Sequence, residues 1–168
     1  VTVDNQNPVV SSVEINPNSN VTNTDTLNCI AVYSDPENEV LTPSYIWSNG
    51  LVVLGTTSTL VVTPSDAAPG DTITCSVNVT DGFGASDSGS DSVSIINQAP
   101  TLSSVGILPD PAYNDSTLSC SVTSSDPDGD ALNTAYSWTN SSTGSSLGSG
   151  SSITLSSILV SFGDIVFC

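Results

Sequence analysis

The chain has 168 residues, and its 17 acidic side chains face no Lys, Arg or His, for a formal net charge of −17. With no cationic side chain it cannot neutralise a phosphate backbone or an anionic lipid surface, which excludes nucleic acid and such membranes as partners. No apolar stretch is long enough to insert into a bilayer, and every internal salt bridge between side chains is ruled out.

Taken in chain order, the sequence reads as strands separated by clusters of Asn, Asp, Gly and Pro about every ten residues. In the first half strands are predicted near 9–15, 25–33, 44–49, 51–54, 58–63, 71–80 and 91–96. The clearest is Thr72-Ile73-Thr74-Cys75-Ser76-Val77-Asn78-Val79, whose strict alternation of apolar and polar side chains is the period of a strand with one buried face. No segment of useful length carries a helical period. The predicted class is all-β.

The second half repeats the first. Asn5-Gln6-Asn7-Pro8 recurs as Asn97-Gln98-Ala99-Pro100 at an offset of 92, and Thr26-Leu27-Asn28-Cys29 recurs as Thr117-Leu118-Ser119-Cys120 at 91. Ser34-Asp35-Pro36 and Tyr45-Ile46-Trp47 recur at 91 as Ser125-Asp126-Pro127 and Tyr136-Ser137-Trp138, and Gly70-Asp71 with Cys75 recurs at 93 as Gly163-Asp164 with Cys168. Self-similarity at this period means two copies of one module, expected at 7–97 and 98–168. The opening residues Val1-Thr2-Val3-Asp4-Asn5 match Val93-Ser94-Ile95-Ile96-Asn97, the end of a module, so 1–6 reads as the last strand of a preceding copy. The second module, by the same alignment, stops before its last strand. Two expectations follow: a window on a longer tandem array, or a donor strand, Val1 to Asn5, that completes a neighbouring subunit and builds a head-to-tail fibre.

Four cysteines, Cys29, Cys75, Cys120 and Cys168, permit three pairings. None lies in a C-x-x-C pair and there is no His, which argues against zinc or haem and for disulfides formed in an oxidising compartment. Trp47 lies 18 residues after Cys29, and Trp138 lies 18 after Cys120. This Cys…Trp…Cys order, seen twice, resembles the immunoglobulin-like β-sandwich, in which a core Trp on strand C packs on a disulfide between strands B and F. The resemblance implies the bridges Cys29–Cys75 and Cys120–Cys168, each contributing on the order of 3–4 kcal/mol by loop-closure entropy. One departure is plain: Ile73 and Val166 stand where that fold usually has the corner tyrosine, while Asp71 and Asp164 remain four residues before each second cysteine. The turns Ser34-Asp35-Pro36-Glu37-Asn38-Glu39 and Ser125-Asp126-Pro127-Asp128-Gly129-Asp130 further resemble those of tandem immunoglobulin-like, PKD-like and cadherin-like repeats of bacterial and archaeal surface proteins.

Those turns carry the first ligand expectation. Asp35, Glu37 and Glu39 alternate, as do Asp126, Asp128 and Asp130, so each set of carboxylates can converge on one Ca²⁺, which prefers such oxygens. The competing reading is a solvated turn whose Asp caps backbone N–H groups. Sequons at Asn20, Asn78, Asn114 and Asn140 are candidate glycan acceptors, with Asn20, Asn114 and Asn140 in predicted loops. The Ser/Gly-rich stretch from Ser141 to Ser152 is a candidate for O-linked sugar.

Catalysis finds no support, because no His, Lys or Arg is available to activate a serine or to balance an oxyanion. The sequence therefore predicts a non-enzymatic extracellular or cell-surface protein, structural or adhesive, whose partners are further copies of the same module. An accessory module of a secreted enzyme or adhesin, binding carbohydrate or a cell-surface protein, is the alternative.

Overall fold

A computed structural model describes residues 1–50 and 52–168. The chain divides into two compact units, Val1–Gln98 and Ala99–Cys168. The described residues contain strands and turns, with no helix among them. Residues 1–6, expected to form a separate strand, fall within unit 1 and lie outside its strands.

Unit 1 contains β1 (Val9–Asn16), β2 (Thr26–Ser34), β3 (Thr42–Asn49), β4 (Val52–Gly55), β5 (Thr59–Val61), β6 (Thr72–Thr80) and β7 (Ser86–Ser94). Leu51, with which the predicted strand at 51–54 begins, lies outside the described residues. One sheet has the order β1-β2-β5 and the other β4-β3-β6-β7, with antiparallel pairing throughout. Alternation dictates which face each strand buries: along β6, Ile73, Cys75, Val77 and Val79 point inward, all fully buried. Against them pack Ile15, Leu27, Leu60 and Val93. Burying such side chains supplies the main drive to fold, about 1.5–3 kcal/mol for each one fully removed from water.

Trp47 sits at the centre, fully buried, directly opposite Cys75 in the β3–β6 register. Its indole N–H donates to the carbonyl of Thr57 at 2.8 Å, so burial leaves no orphaned donor. The Cys29–Cys75 bridge ties the two sheets across this core, with 6.3 Å between the Cα atoms.

The β7 strand begins five residues earlier than the 91–96 segment read from the sequence, because its inward positions are Asp87, Gly89 and Asp91 before they become Val93. These positions meet the edge of β1 instead of the apolar core. Asp87 and Asp91 each accept a hydrogen bond at 2.8 Å, from the backbone N–H groups of Val10 and Ile15 respectively. Between them, Gly89 lets the two strands approach closely: a Cβ there would lie 2.9 Å from Cγ2 of Val13.

Unit 2 contains β8 (Thr101–Leu108), β9 (Thr117–Ser125), β10 (Ser137–Asn140), β11 (Ser145–Ser149), β12 (Ser152–Thr154) and β13 (Val166–Phe167). Its sheets, β12-β9-β8 and β11-β10-β13, repeat the pairing of unit 1. Even the irregularities recur: the β1–β2 register shift between Val10 and Ser12 reappears between Leu102 and Ser104, and the β3–β4 shift after Trp47 reappears after Trp138. Trp138 is fully buried, donates its indole N–H to Gly150 O at 2.8 Å, and packs in one cluster with Leu118, Leu155 and the Cys120–Cys168 bridge. No strand among the described residues of unit 2 takes the place of β7. A groove of about 860 Å³, lined by Val105, Ile107, Asp110, Asn114 and Ile165 among others, opens there.

Candidate functional site: an acidic cluster at one end of unit 1

The most concentrated chemistry in unit 1 lies where two turns meet. Asp35 directly follows the last residue of β2 and Asp81 that of β6, and each aspartate stands six residues beyond a cysteine of the same disulfide. Six strand residues span about 20 Å, so the covalent tie sets both turns at the same end of the sandwich.

Both turns are built alike. Oδ1 of Asp35 accepts the N–H groups of Glu37 at 2.8 Å and Glu39 at 3.4 Å. Oδ1 of Asp81 accepts those of Phe83 and Ala85, each at 2.9 Å. Capping of backbone donors, the alternative reading of the acidic turns, is thus present in the fold. It uses Oδ1 of each carboxylate, while Oδ2 of Asp81 accepts the Asn5 side-chain N–H at 2.9 Å and Oδ2 of Asp35 is left over.

Carboxylate oxygens of Asp35, Glu39 and Asp81 all lie within 4.8 Å of one another. Asp35 and Asp81 are only 8 % and 7 % exposed. The second oxygen of Asp35, Oδ2, and Oε2 of Glu39 are buried with no hydrogen-bond partner. Beside them a cleft of about 310 Å³, lined by Tyr33, Asn38 and Leu41 among others, gives access from solvent. Burial, then the charges of Asp35, Asp81 and Glu37, push the Glu39 carboxyl above its ordinary range. Asp81 is held below its ordinary range, chiefly by the Asn5 side chain, against the opposing effect of burial.

The structure sorts the predicted ligands. Asp35 and Glu39 come together as expected, whereas Glu37 turns away and accepts from Gln6 through both the backbone N–H, at 3.1 Å, and the side-chain amide, at 2.9 Å. The third carboxylate is Asp81, which the sequence reading missed. Its signal was available in the equal spacing of Asp35 and Asp81 from the paired cysteines. In unit 2, Asp126, Asp128 and Asp130 do converge, and Asp126 Oδ1 caps the N–H groups of Asp128 at 2.9 Å and Asp130 at 3.4 Å.

The segment Val1 to Asn5 contains no strand; Val1, Thr2, Val3 and Asp4 are exposed, and Asn5 donates its side-chain N–H to Asp81 Oδ2 at 2.9 Å.

The sequons divide. Asn20, Asn78 and Asn114 are exposed, Asn78 on β6 with its amide on Thr80 Oγ1 at 3.2 Å. Asn140 corrects the sequence reading: it is the last residue of β10 instead of a loop residue, and it is 1 % exposed. Its amide nitrogen, the atom a glycan would occupy, donates to Asp164 Oδ2 at 2.8 Å and to Leu159 O at 3.4 Å. Asn49 does the same in unit 1, donating to Asp71 Oδ2 at 3.0 Å and Asp66 O at 2.8 Å. This Asn–Asp brace ties the end of the tryptophan strand to the loop entering the second-cysteine strand, near the position of the missing corner tyrosine. It holds Asp71 and Asp164 below their ordinary range, with the N–H groups of Ala68 and Ser161 contributing most.

Residues 5–94 match the bacterial Ig domain family. The chain belongs to that family. No curated protein and no solved structure matches it.

Proposed function

We propose that this bacterial Ig domain chain is part of an extracellular structural or adhesive protein, in which sandwich modules act as stiff spacers and pack against further copies of themselves. The observation that carries the reading is the covalently tied core of each unit: a disulfide between sheets beside a fully buried tryptophan. Disulfides persist in oxidising compartments. The carboxylates serve as caps for backbone and side-chain amides, an arrangement suited to holding shape and not to proton transfer. Unit 1 takes its seventh strand, β7, from its own chain, so its sandwich forms without a donated one. Glycan on the exposed Asn20, Asn78 or Asn114 is compatible with this role.

Single-molecule pulling on the oxidised chain, together with immunogold labelling of cells that produce it, tests the proposal. Label is expected outside the membrane. The segment between Cys29 and Cys75, which stand 46 positions apart, is expected to stay locked under force, and reduction to release about 16 nm more from unit 1. Cytoplasmic label, or equal extension with and without reductant, overturns it.

A further inference from the structure

We propose that Asp35, Glu39 and Asp81 form a binding site for one Ca²⁺ ion, and that the ion fixes the leading segment Asn5–Gln6 to unit 1. The inference is independent of the spacer role, since a cation site serves a spacer and a binding module equally.

Two oxygens on one Ca²⁺ are separated by at most twice the metal–oxygen distance of about 2.3–2.6 Å. The three carboxylates meet that limit, with their oxygens inside 4.8 Å. Clustering alone would describe many solvated turns. Here a second, separate feature points to a ligand: Asp35 is more than nine-tenths buried, and its Oδ2 has no partner, nor does Oε2 of Glu39. A buried carboxylate oxygen without a donor costs free energy that folding normally avoids. This chain cannot supply the missing charge, because it contains no Lys, Arg or His. A cation from solution can, and hard oxygen donors in a site left open on one side suit Ca²⁺, which accepts irregular geometry and completes its shell with water. Mg²⁺ demands near-octahedral geometry and dehydrates reluctantly, so it fits less well.

The coupling to the leading segment follows from what the cluster holds. Asn5 donates to Asp81, and Gln6 donates twice to the adjoining Glu37. Without an ion, like charges on Asp35, Glu37, Glu39 and Asp81 repel and drive these two anchors apart. With one bound, Asp81 keeps a lone pair for Asn5 and the spacing of the anchors is set by the metal. The Asp126–Asp128–Asp130 cluster lacks the second feature and is not included.

Ca²⁺ titration of the ¹⁵N-labelled 168-residue chain, followed by amide NMR, tests the site. Saturable shifts are expected at Glu37, Glu39, Phe83 and Ala85, whose N–H groups rest on the ligating aspartates, together with slower hydrogen exchange at the Gln6 amide. Asp81→Asn and Glu39→Gln, which preserve shape and the capping oxygens, are expected to weaken binding at least tenfold, and Glu37→Gln less than threefold. Mg²⁺ is expected to bind at least tenfold more weakly. Absence of shifts at these four amides up to 10-fold excess over about 1 mM, a level typical of weak extracellular sites, overturns the site. Unchanged affinity in both ligand variants, with their amide spectra showing a folded unit 1, overturns the ligand assignment. Binding that leaves Gln6 exchange unaltered overturns the coupling.

Discussion

Gly89→Ala is the sharpest probe of how the two sheets of unit 1 are held. A Cβ at this position lies 2.9 Å from Val13 Cγ2 and 3.1 Å from Val10 Cγ1, whereas carbon atoms in contact prefer about 3.5–4.0 Å. β1 and β7 must therefore separate locally by about 0.5–1 Å to admit one methyl group. Overpacking of this kind costs about 1–3 kcal/mol. Glycine replacement recovers about 0.4–1 kcal/mol by restricting the unfolded chain, so the expected net loss lies between about 0 and 2.6 kcal/mol. The same movement lengthens the flanking bonds from Val10 N–H to Asp87 and from Ile15 N–H to Asp91, both now at 2.8 Å, which places the loss toward the upper end. The assay is urea unfolding followed by Trp47 fluorescence, comparing midpoints at unchanged slope. Gly82→Ala is the control, because a Cβ there meets nothing within 4 Å. Adding Val13→Ala to Gly89→Ala removes the closest clash, and the pair is expected to be less destabilised than the sum of the singles by about 1 kcal/mol, as contacting residues are. A Gly89→Ala protein as stable as Gly82→Ala, or a pair that is merely additive, refutes the close-approach argument.

Two further outcomes follow from the Asn–Asp brace. The folded-state pKa of Asp71 is depressed, so its contribution is present in full above the unfolded value of about 3.9 and disappears as pH falls through the folded value. Asn49→Ala raises that folded value toward the ordinary one, so the stability gap between wild type and variant is expected to be widest near neutral pH and to close below about pH 4; a gap independent of pH contradicts this. Expression in a glycosylating host is expected to leave Asn140 unmodified once unit 2 has folded, whatever the occupancy at Asn20 and Asn114, because its amide nitrogen is buried and already donates twice; peptide mapping by mass spectrometry reads this directly, and glycan on Asn140 in folded protein refutes the placement.

Where a strand borders the core on one face, its pattern was plain in the sequence. β2, β3 and β6 were legible because apolar side chains recur at every second position and the cysteines and tryptophan fall on that face. β7 was half legible for the same physical reason. Its first five residues, Ser86 to Ser90, contain no apolar side chain, since their inner face meets the backbone of β1, where an acceptor and a small residue are required. The acidic site was legible as a turn and incomplete as a site. Asp35 and Glu39 are neighbours in sequence, but Asp81 reaches them from the other sheet, and only the Cys29–Cys75 tie makes that proximity readable. Asn140 misled because its triplet is a local pattern, whereas its burial depends on Asp164 and Leu159, which approach from far along the chain.

The absence of cationic side chains explains why these amide contacts recur. A carboxylate drawn into a fold ordinarily meets Lys or Arg; here the remaining positive ends are backbone N–H dipoles, hydroxyls and the amides of Asn and Gln. Asp25 accepts from Thr22 and Asp66 from Thr63, each through both backbone N–H and hydroxyl. Asp71 and Asp164 add an asparagine, Asp87 and Asp91 take the edge amides of β1, and Asp81 takes Asn5. Such bonds to an ionised acceptor are shorter and stronger than neutral ones, and they need a fixed backbone to aim the donor. The acidic side chains consequently define turns and close a strand edge that would otherwise invite pairing with another chain. Among the buried carboxylate oxygens of the described residues, Asp35 Oδ2 and Glu39 Oε2 are where this supply of donors fails. A charge of opposite sign at that point has to come from outside the polypeptide, which is why the cation site is placed there and not at the other acidic turns.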